Sequence, residues 1–291
     1  MKTALQLLNI ALMLVLLTLY VCGTPATAAS QQLPDTIDRV RPSIVQVSSE
    51  CGWGTAFLIS KEGFALTAGH MVACPGVALA SQRVKIGMPL AYSFTDQTQK
   101  RGNFTLIDAD VIERDDVHDV ALLKLSRNPF GETIESGYTL EGKPLPLMPL
   151  GVALLSTRAV REGESVAVSG FPFVSPVLFT NAGIIASTRS AHDFNTEVPG
   201  LNVRVTSDFY LADMTVNEGN SGGPVYDASG EVIGIALGFR VAVVDKVIHG
   251  AWQHPPGVED GYGYNAHLAV VVPIAHAKAL MTKHTIGLPS Q

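Results

Sequence analysis

Glu218-Gly219-Asn220-Ser221-Gly222-Gly223-Pro224 sets one serine among glycines, an arrangement for which a helical or core serine has no use. Glycine lets the chain turn tightly enough for successive backbone N–H groups to converge on one point, and it leaves room for a substrate backbone. Ser221 therefore reads as a nucleophile, with the N–H groups of Gly219 and Ser221 as candidate oxyanion donors. Taken alone, the string fits a plain turn as well. A serine hydroxyl is a weak nucleophile and needs a histidine base oriented by a carboxylate. Two upstream segments supply these. Thr67-Ala68-Gly69-His70 follows the apolar run Phe64-Ala65-Leu66, a strand end that delivers His70. Asp119 opens Val120-Ala121-Leu122-Leu123-Lys124-Leu125, dense enough in apolar residues to be a buried strand. His70 alone is as readily a structural histidine, and Asp119 alone a strand-end charge. The order His70, Asp119, Ser221 is what joins them into a candidate triad.

On these residues the chain resembles the trypsin-like serine proteases, and within them the HtrA/Deg branch. Ala212-Asp213-Met214-Thr215-Val216-Asn217-Glu218-Gly219-Asn220-Ser221-Gly222-Gly223 is similar to that branch's Thr-Asp-Ala-x-Ile-Asn-x-Gly-Asn-Ser-Gly-Gly signature, and Gly54 to His70 resembles the lead-in to its histidine. Gly163 to Pro172, Ala182 to Ser187, Gly230 to Ile235 and Ala269 to Ile274 extend the likeness over about residues 36 to 284. The resemblance implies an all-β fold: two sequential six-stranded antiparallel barrels and a short C-terminal helix. It places a protease domain at 36–285, with barrel 1 at about 36–140, a connector at 141–160 and barrel 2 at about 161–285. It further implies that Thr215 lies at the base of the primary specificity pocket, and that Leu237, Gly238 and Phe239 form the strand that pairs with substrate. With no acid at 215, an apolar residue before the scissile bond is expected, in unfolded or extended polypeptides.

Four departures from the family pattern matter. Ala68-Gly69-His70 stands where an alanine usually precedes the histidine, a small change expected to keep that turn and at most to loosen it. Asn220 replaces the aspartate with which zymogen-forming trypsins capture a newly cut N-terminus, so no activation by that route is expected. Only seven residues follow His284, too few for a peptide-binding PDZ module. The segment 240–267 is a longer connection than the family usually has, with turns at Pro255-Pro256-Gly257 and Gly261 to Tyr264.

Composition agrees with an exported β-rich enzyme. Charged residues make up 16% of the chain, against an average of about 25%, and 27 Gly with 17 Pro suit many short strands joined by turns. The net charge of −6 and the lack of a basic run argue against a nucleic-acid partner. Lys2, the apolar run Ala4 to Val21 and Ala26-Thr27-Ala28 read as a signal peptide over residues 1–28, cleaved after Ala28. An uncleaved membrane anchor is the alternative, since the run nearly spans a bilayer. The destination is periplasmic or extracellular, and there Cys51 and Cys74 are expected to form a disulfide, as trypsin-like enzymes commonly carry one across this loop. No metal or cofactor is expected, the partners are polypeptide substrates, and the branch's common trimers make a homo-oligomer compatible.

Short runs at Ile44–Val47, Gly54–Ile59, Val120–Leu125, Ser165–Ser169, Val203–Thr206, Gly223–Tyr226, Val232–Leu237 and Leu268–Val272 read as strands. One helix, Pro273 to His284, carries Ile274, Ala277, Leu280 and Met281 on one face. Two other function classes stand beside the protease. The first is a carboxylesterase whose Gly-x-Ser-x-Gly elbow takes Asp227, Asp245 or Asp260 with His267 or His276. The second is a chaperone or binding protein on a protease fold.

Overall fold

The computed structural model describes residues 25–50, 52–74, 76, 83–90, 104–136, 139–140, 143–175, 177–188, 196–197, 204–205, 208–244, 246–248, 251–253 and 262–288. The expected leader core and Cys51 lie outside these residues. Residues 1–39 and 40–291 form separate compact units. The described part of the first lies in helix α1, Pro25–Val40, which includes Pro34. Sequence reading anticipated a single helix at the other end of the chain; α1 was hidden by Pro34 and by the small residues of the expected cleavage site.

The second unit opens with β1 (Ile44–Ser49), β2 (Gly52–Leu58), β3 (Phe64–Ala68), β4 (Val84–Pro89), β5 (Phe104–Asp115) and β6 (Val120–Leu125). These close into a barrel in the order β1-β2-β3-β6-β5-β4. Val47, Phe57, Leu66, Ile86 and Leu122 are fully buried and form its core. Closure leaves no free sheet edge, which is how an all-antiparallel sheet protects its backbone groups. β4 and β5 were not anticipated. Along β5, Ile107 and Ala109 point inward between exposed Leu106, Asp108 and Asp110, so its apolar content is halved by alternation.

Two short hairpin strands, β7 (Thr139–Leu140) and β8 (Lys143–Pro144), and then β9 (Leu154–Leu155) bridge to the second half. There β10 (Ser165–Gly170), β11 (Phe179–Ser187), β14 (Tyr210–Asp213), β15 (Pro224–Asp227), β16 (Glu231–Val244) and β19 (Tyr262–Pro273) run β15-β10-β11-β14-β19-β16, and β15 pairs with β16 to close a second six-stranded ring. β9 adds in parallel to β16, so the expected connector is partly strand. Val166, Val168, Ile185, Val225, Ile233 and Val271 form the core. The long connection after residue 240 is an extension of the β16/β19 pair, whose register runs out to Val244 opposite Tyr262. Two small hairpins complete the sheet inventory: β12 (Thr196–Glu197) with β13 (Arg204–Val205), and β17 (Lys246–Ile248) with β18 (Ala251–Gln253).

Helix α2 spans Ile274–Lys283. Pro273 ends β19 and occupies the N-cap at φ −58°, one residue earlier than the sequence suggested. Its buried face is Ile274, Ala277, Leu280 and Met281 as expected, and it packs on β6 of the first barrel as well as on β16.

Close strand contacts are set by a few glycines. A Cβ on Gly183 of β11 would lie 1.9 Å from Asp213 O and 2.6 Å from Met214 Cβ, whereas one on Gly238 would meet nothing within 4 Å. Gly183→Ala is expected to cost roughly 1–3 kcal/mol or more, as overpacking does, and Gly238→Ala well under 1 kcal/mol. Urea unfolding of the two variants checks this, and equal midpoints would contradict the packing argument.

Candidate functional site

Asp119 ends the turn 116–119 in the left-handed region, at φ +55°, a conformation that aspartate tolerates better than most residues. That backbone lets three of its groups face the His70 turn at once. Gly69 N–H donates to Asp119 O at 2.8 Å, His70 N–H to Asp119 Oδ1 at 2.6 Å, and His70 Nδ1–H to Asp119 Oδ2 at 2.6 Å. A carboxylate only accepts, so this pairing keeps the imidazole proton on Nδ1 and leaves Nε2 free to take a proton. Both side chains are buried, His70 5% and Asp119 2% exposed. The turn is kept with Gly69 in place, as expected. A Cβ there would sit 2.9 Å from Asp119 Oδ1 and 3.1 Å from Val120 N, so the glycine is what allows the aspartate so close.

The nucleophile turn comes from the second barrel but is pressed against the first. A Cβ on Gly222, at φ +84°, would lie 2.1 Å from both Thr55 O and Thr67 Oγ1 and 2.9 Å from Ala68 N. Ser221 thus sits beside the strand end that carries His70. Its hydroxyl donates to Leu237 O at 2.7 Å, and among the described residues it makes no hydrogen bond to the His70 ring. Serine–histidine contacts of this kind often tighten only when substrate is bound.

The oxyanion geometry rests on Gly219, at φ +98° and walled by Phe171 O, 2.4 Å from where a Cβ would be. The Glu218 carbonyl is held away by Phe173 N–H at 2.8 Å. In a planar trans peptide the C=O and N–H point oppositely, so Gly219 N–H is aimed to the other side. Neither Gly219 N–H nor Ser221 N–H donates to protein among the described residues. Asn220 is buried at 1% exposure; its Oδ1 accepts from Asn217 N–H at 2.9 Å, while its Nδ2 has no hydrogen-bond partner among the described residues. Phe173 and Val174, which abut this turn, both hold φ +56° and are largely exposed, a strained and apolar neighbour that no sequence signal announced.

Leu237, Gly238 and Phe239 lie where β16 pairs with β19 on one side through a bulge. On the other side β15 pairing ends at Ile235, so the edge is open to an added strand. The Thr215 hydroxyl hydrogen-bonds His267 Nδ1 at 2.9 Å. Asn265 braces the same segment, donating to Val216 O at 2.6 Å and accepting from His267 N–H at 2.8 Å. Sequence reading singled out neither His267 nor Asn265 as a partner of this segment, because neither falls in a motif.

The histidines and the one described aspartate of the esterase alternative are engaged elsewhere. Asp227 is bound by Arg158, Ser229 and the N–H of Glu231, His276 stacks on His118, and His267 holds Thr215. Asp245 and Asp260 lie outside the described residues. Burial pushes the Asp227 carboxyl up, but the hydrogen bonds from Ser229 and Arg158 outweigh it and leave it below the ordinary carboxylate value. The group is therefore a structural ion pair.

Residues 54–235 match the family model of the trypsin-like peptidase domain. The chain belongs to the trypsin-like peptidase family. It is 25% identical over 229 residues to the mitochondrial serine protease HTRA2 of Bos taurus, covering 74% of this chain and 41% of that protein. It is 29% identical over 182 residues to a probable periplasmic serine endoprotease, DegP-like, of Pseudomonas putida (strain GB-1), covering 62% and 28%. The chain thus spans about two fifths or less of the length of these relatives. Among solved structures, Deg5 superposes with a TM-score of 0.54 at 20% identity, covering 89% of this chain and 95% of that one. The two-barrel protease fold is common to both.

Thr55, which sequence reasoning passed over, touches every part of the nucleophile turn. Its N–H donates to Ser221 O at 2.8 Å, its Oγ1 donates to Gly219 O at 2.7 Å and accepts from Phe171 N–H at 3.0 Å, and its carbonyl accepts from Thr67 Oγ1 at 2.7 Å. Valine keeps the shape but orphans Gly219 O and Phe171 N–H, each worth about 1–3 kcal/mol. Thr55→Val is expected to lower kcat for peptide hydrolysis by about tenfold to a hundredfold with KM little changed, and Thr55→Ser to restore it. Steady-state kinetics of both variants is the check.

Proposed function

We propose that this protein is an exported serine endopeptidase that cleaves polypeptides through an acyl-enzyme on Ser221. The observation that carries the reading is His70, gripped at backbone and ring by buried Asp119 and set beneath a serine turn with two unclaimed N–H groups. In this mechanism the Ser221 hydroxyl leaves Leu237 O and turns to His70 Nε2, which takes its proton as Oγ attacks the carbonyl carbon. Asp119 holds the required tautomer and stabilises the imidazolium. The Gly219 and Ser221 N–H groups receive the oxyanion, and His70 returns the proton to the leaving amine. The open edge Leu237–Phe239 aligns the substrate as an added strand.

A neutral Thr215, its hydroxyl already occupied by His267, supports a preference for a small or medium apolar residue before the scissile bond. Similarity to probable periplasmic DegP-like endoproteases supports an exported location, with residues 1–28 as leader. Cys74 is buried and disulfide-bonded, which supports Cys51 as its partner.

Incubation with reduced casein, followed by mass spectrometry of new termini, tests the reading. Cuts are expected from the parent after apolar residues and none from Ser221→Ala; cuts dominated by Arg or Lys would refute the pocket assignment, and equal cutting by both chains would refute the nucleophile. Thiol titration of the folded, exported protein is expected to find no reactive Cys51 or Cys74. Two free thiols there would exclude the bridge.

A further inference from the structure

The turn that shapes Asp119 is clamped from outside by a stacked pair of histidines. The His118 ring lies on the His276 ring with centroids 3.6 Å apart and planes 18° from parallel. His118 immediately precedes Asp119, and His276 is on α2, the helix that follows the second barrel. On the turn side, His118 Nδ1–H donates to Asp115 Oδ2 at 2.5 Å, while Asp115 Oδ1 accepts the N–H groups of Val117 and His118 at 2.9 and 3.1 Å. Asp115 therefore folds the turn and fixes the ring on which His276 rests. The other end of the helix is fastened to β5 as well. Glu113 accepts from Lys283 Nζ and His284 Nε2, both at 2.5 Å.

We propose that His276 is a positioning residue for the catalytic carboxylate, holding the Asp115–Asp119 turn through its stack on His118, and that the stack releases when both rings are protonated. The proposal rests on the assignment of Asp119 to the triad. Asp119 keeps a left-handed backbone, a conformation that persists only where the surroundings impose it. Its carbonyl and both carboxylate oxygens are already spent on Gly69 and His70. Any shift of residue 118 is passed directly to those three contacts. No other histidine pair among the described residues sits next to the site.

A charge on His118 would have Asp115 as its partner, and two charged imidazoles at this separation would repel. A second proton on His276 would face that charge across the stack. Burial, and then the charge of His118, hold His276 below the ordinary histidine value, with Asp115 and Asp208 pulling the other way. The remaining charges nearby are committed elsewhere: Arg114 to Asp116, Lys278 to Ser156 O, and Lys283 and His284 to Glu113. A histidine depressed in the folded state gains its proton more readily once released. The clamp is therefore intact above the ordinary histidine value of about 6.5 and weakens as pH falls below it.

The test compares kcat and KM from about pH 5 to 8.5 for the parent, His276→Ala, His276→Phe and Asp119→Asn. His276→Ala is expected to lose about tenfold to a hundredfold in kcat at pH 8 with KM little changed, as a small misplacement of a reacting group does. His276→Phe, which stacks but cannot charge, is expected to recover most of it. The parent's acid limb should be steeper than one proton allows, and that of His276→Phe should fall to a single-proton slope. Parental kcat and KM in a folded His276→Ala, with Asp119→Asn inactive, would overturn the positioning role; an active Asp119→Asn would instead overturn the triad assignment. Should His276→Ala fail to fold, coincident acid limbs for the parent and His276→Phe would overturn the proposal.

Discussion

Thr55 of β2 donates its N–H to Ser221 O and its hydroxyl to Gly219 O, so the backbone of the nucleophile turn is anchored on the barrel that carries His70 and Asp119. Each barrel closes on itself and needs nothing from the other for its own ladder. The proposed reaction, however, needs groups from both within hydrogen-bond reach. Thr55 makes that approach a matter of backbone geometry, and backbone hydrogen bonds in a buried seam leave little freedom, because breaking one strands a donor or acceptor away from water.

Several glycines follow from the same constraint. Gly222 has no room for a Cβ against Thr55 O and Thr67 Oγ1, and Gly170 none against Thr55 Oγ1 and Asn220 Nδ2, at 2.6 and 2.9 Å. Gly69 opens the way for Asp119 on the opposite side. The seam is thus packed to backbone contact at the serine, at the oxyanion turn and at the histidine. Where it is not so packed, around the strained and exposed Phe173-Val174, a single N–H to Glu218 O links the oxyanion turn to the surface. Helix α2 gives the first barrel a further brace, with its apolar face on β6 and its polar face on the Glu113 to His118 stretch.

Much of this was legible in the residues. The apolar run Val120–Leu125 is β6 to the residue, and the face Ile274, Ala277, Leu280 and Met281 is the buried side of α2, because unbroken burial and a 3.6-residue period leave direct marks. β4 and β5 left none, since their alternation is diluted by polar and partly exposed positions. α1 was obscured by Pro34 and by the leader-like residues before it. The residues around Ser221, His70 and Asp119 could be selected because the chemistry of a serine nucleophile demands those types, and local glycines marked the turns.

The amino-acid sequence by itself determined part of the barrel-forming strands, the candidate triad and the family resemblance, because apolar runs, turn residues and reactive side chains are local properties. Only the tertiary structure decided that the Ser221 hydroxyl rests on Leu237 O, that Thr55 holds the Gly219 to Ser221 turn, that Thr215 is paired with His267, and that His276 stacks on His118. The physical reason is range. Each of these contacts joins residues far apart in the chain, through backbone carbonyls or unremarkable side chains that gain a role only when two closed barrels and a helix are brought together.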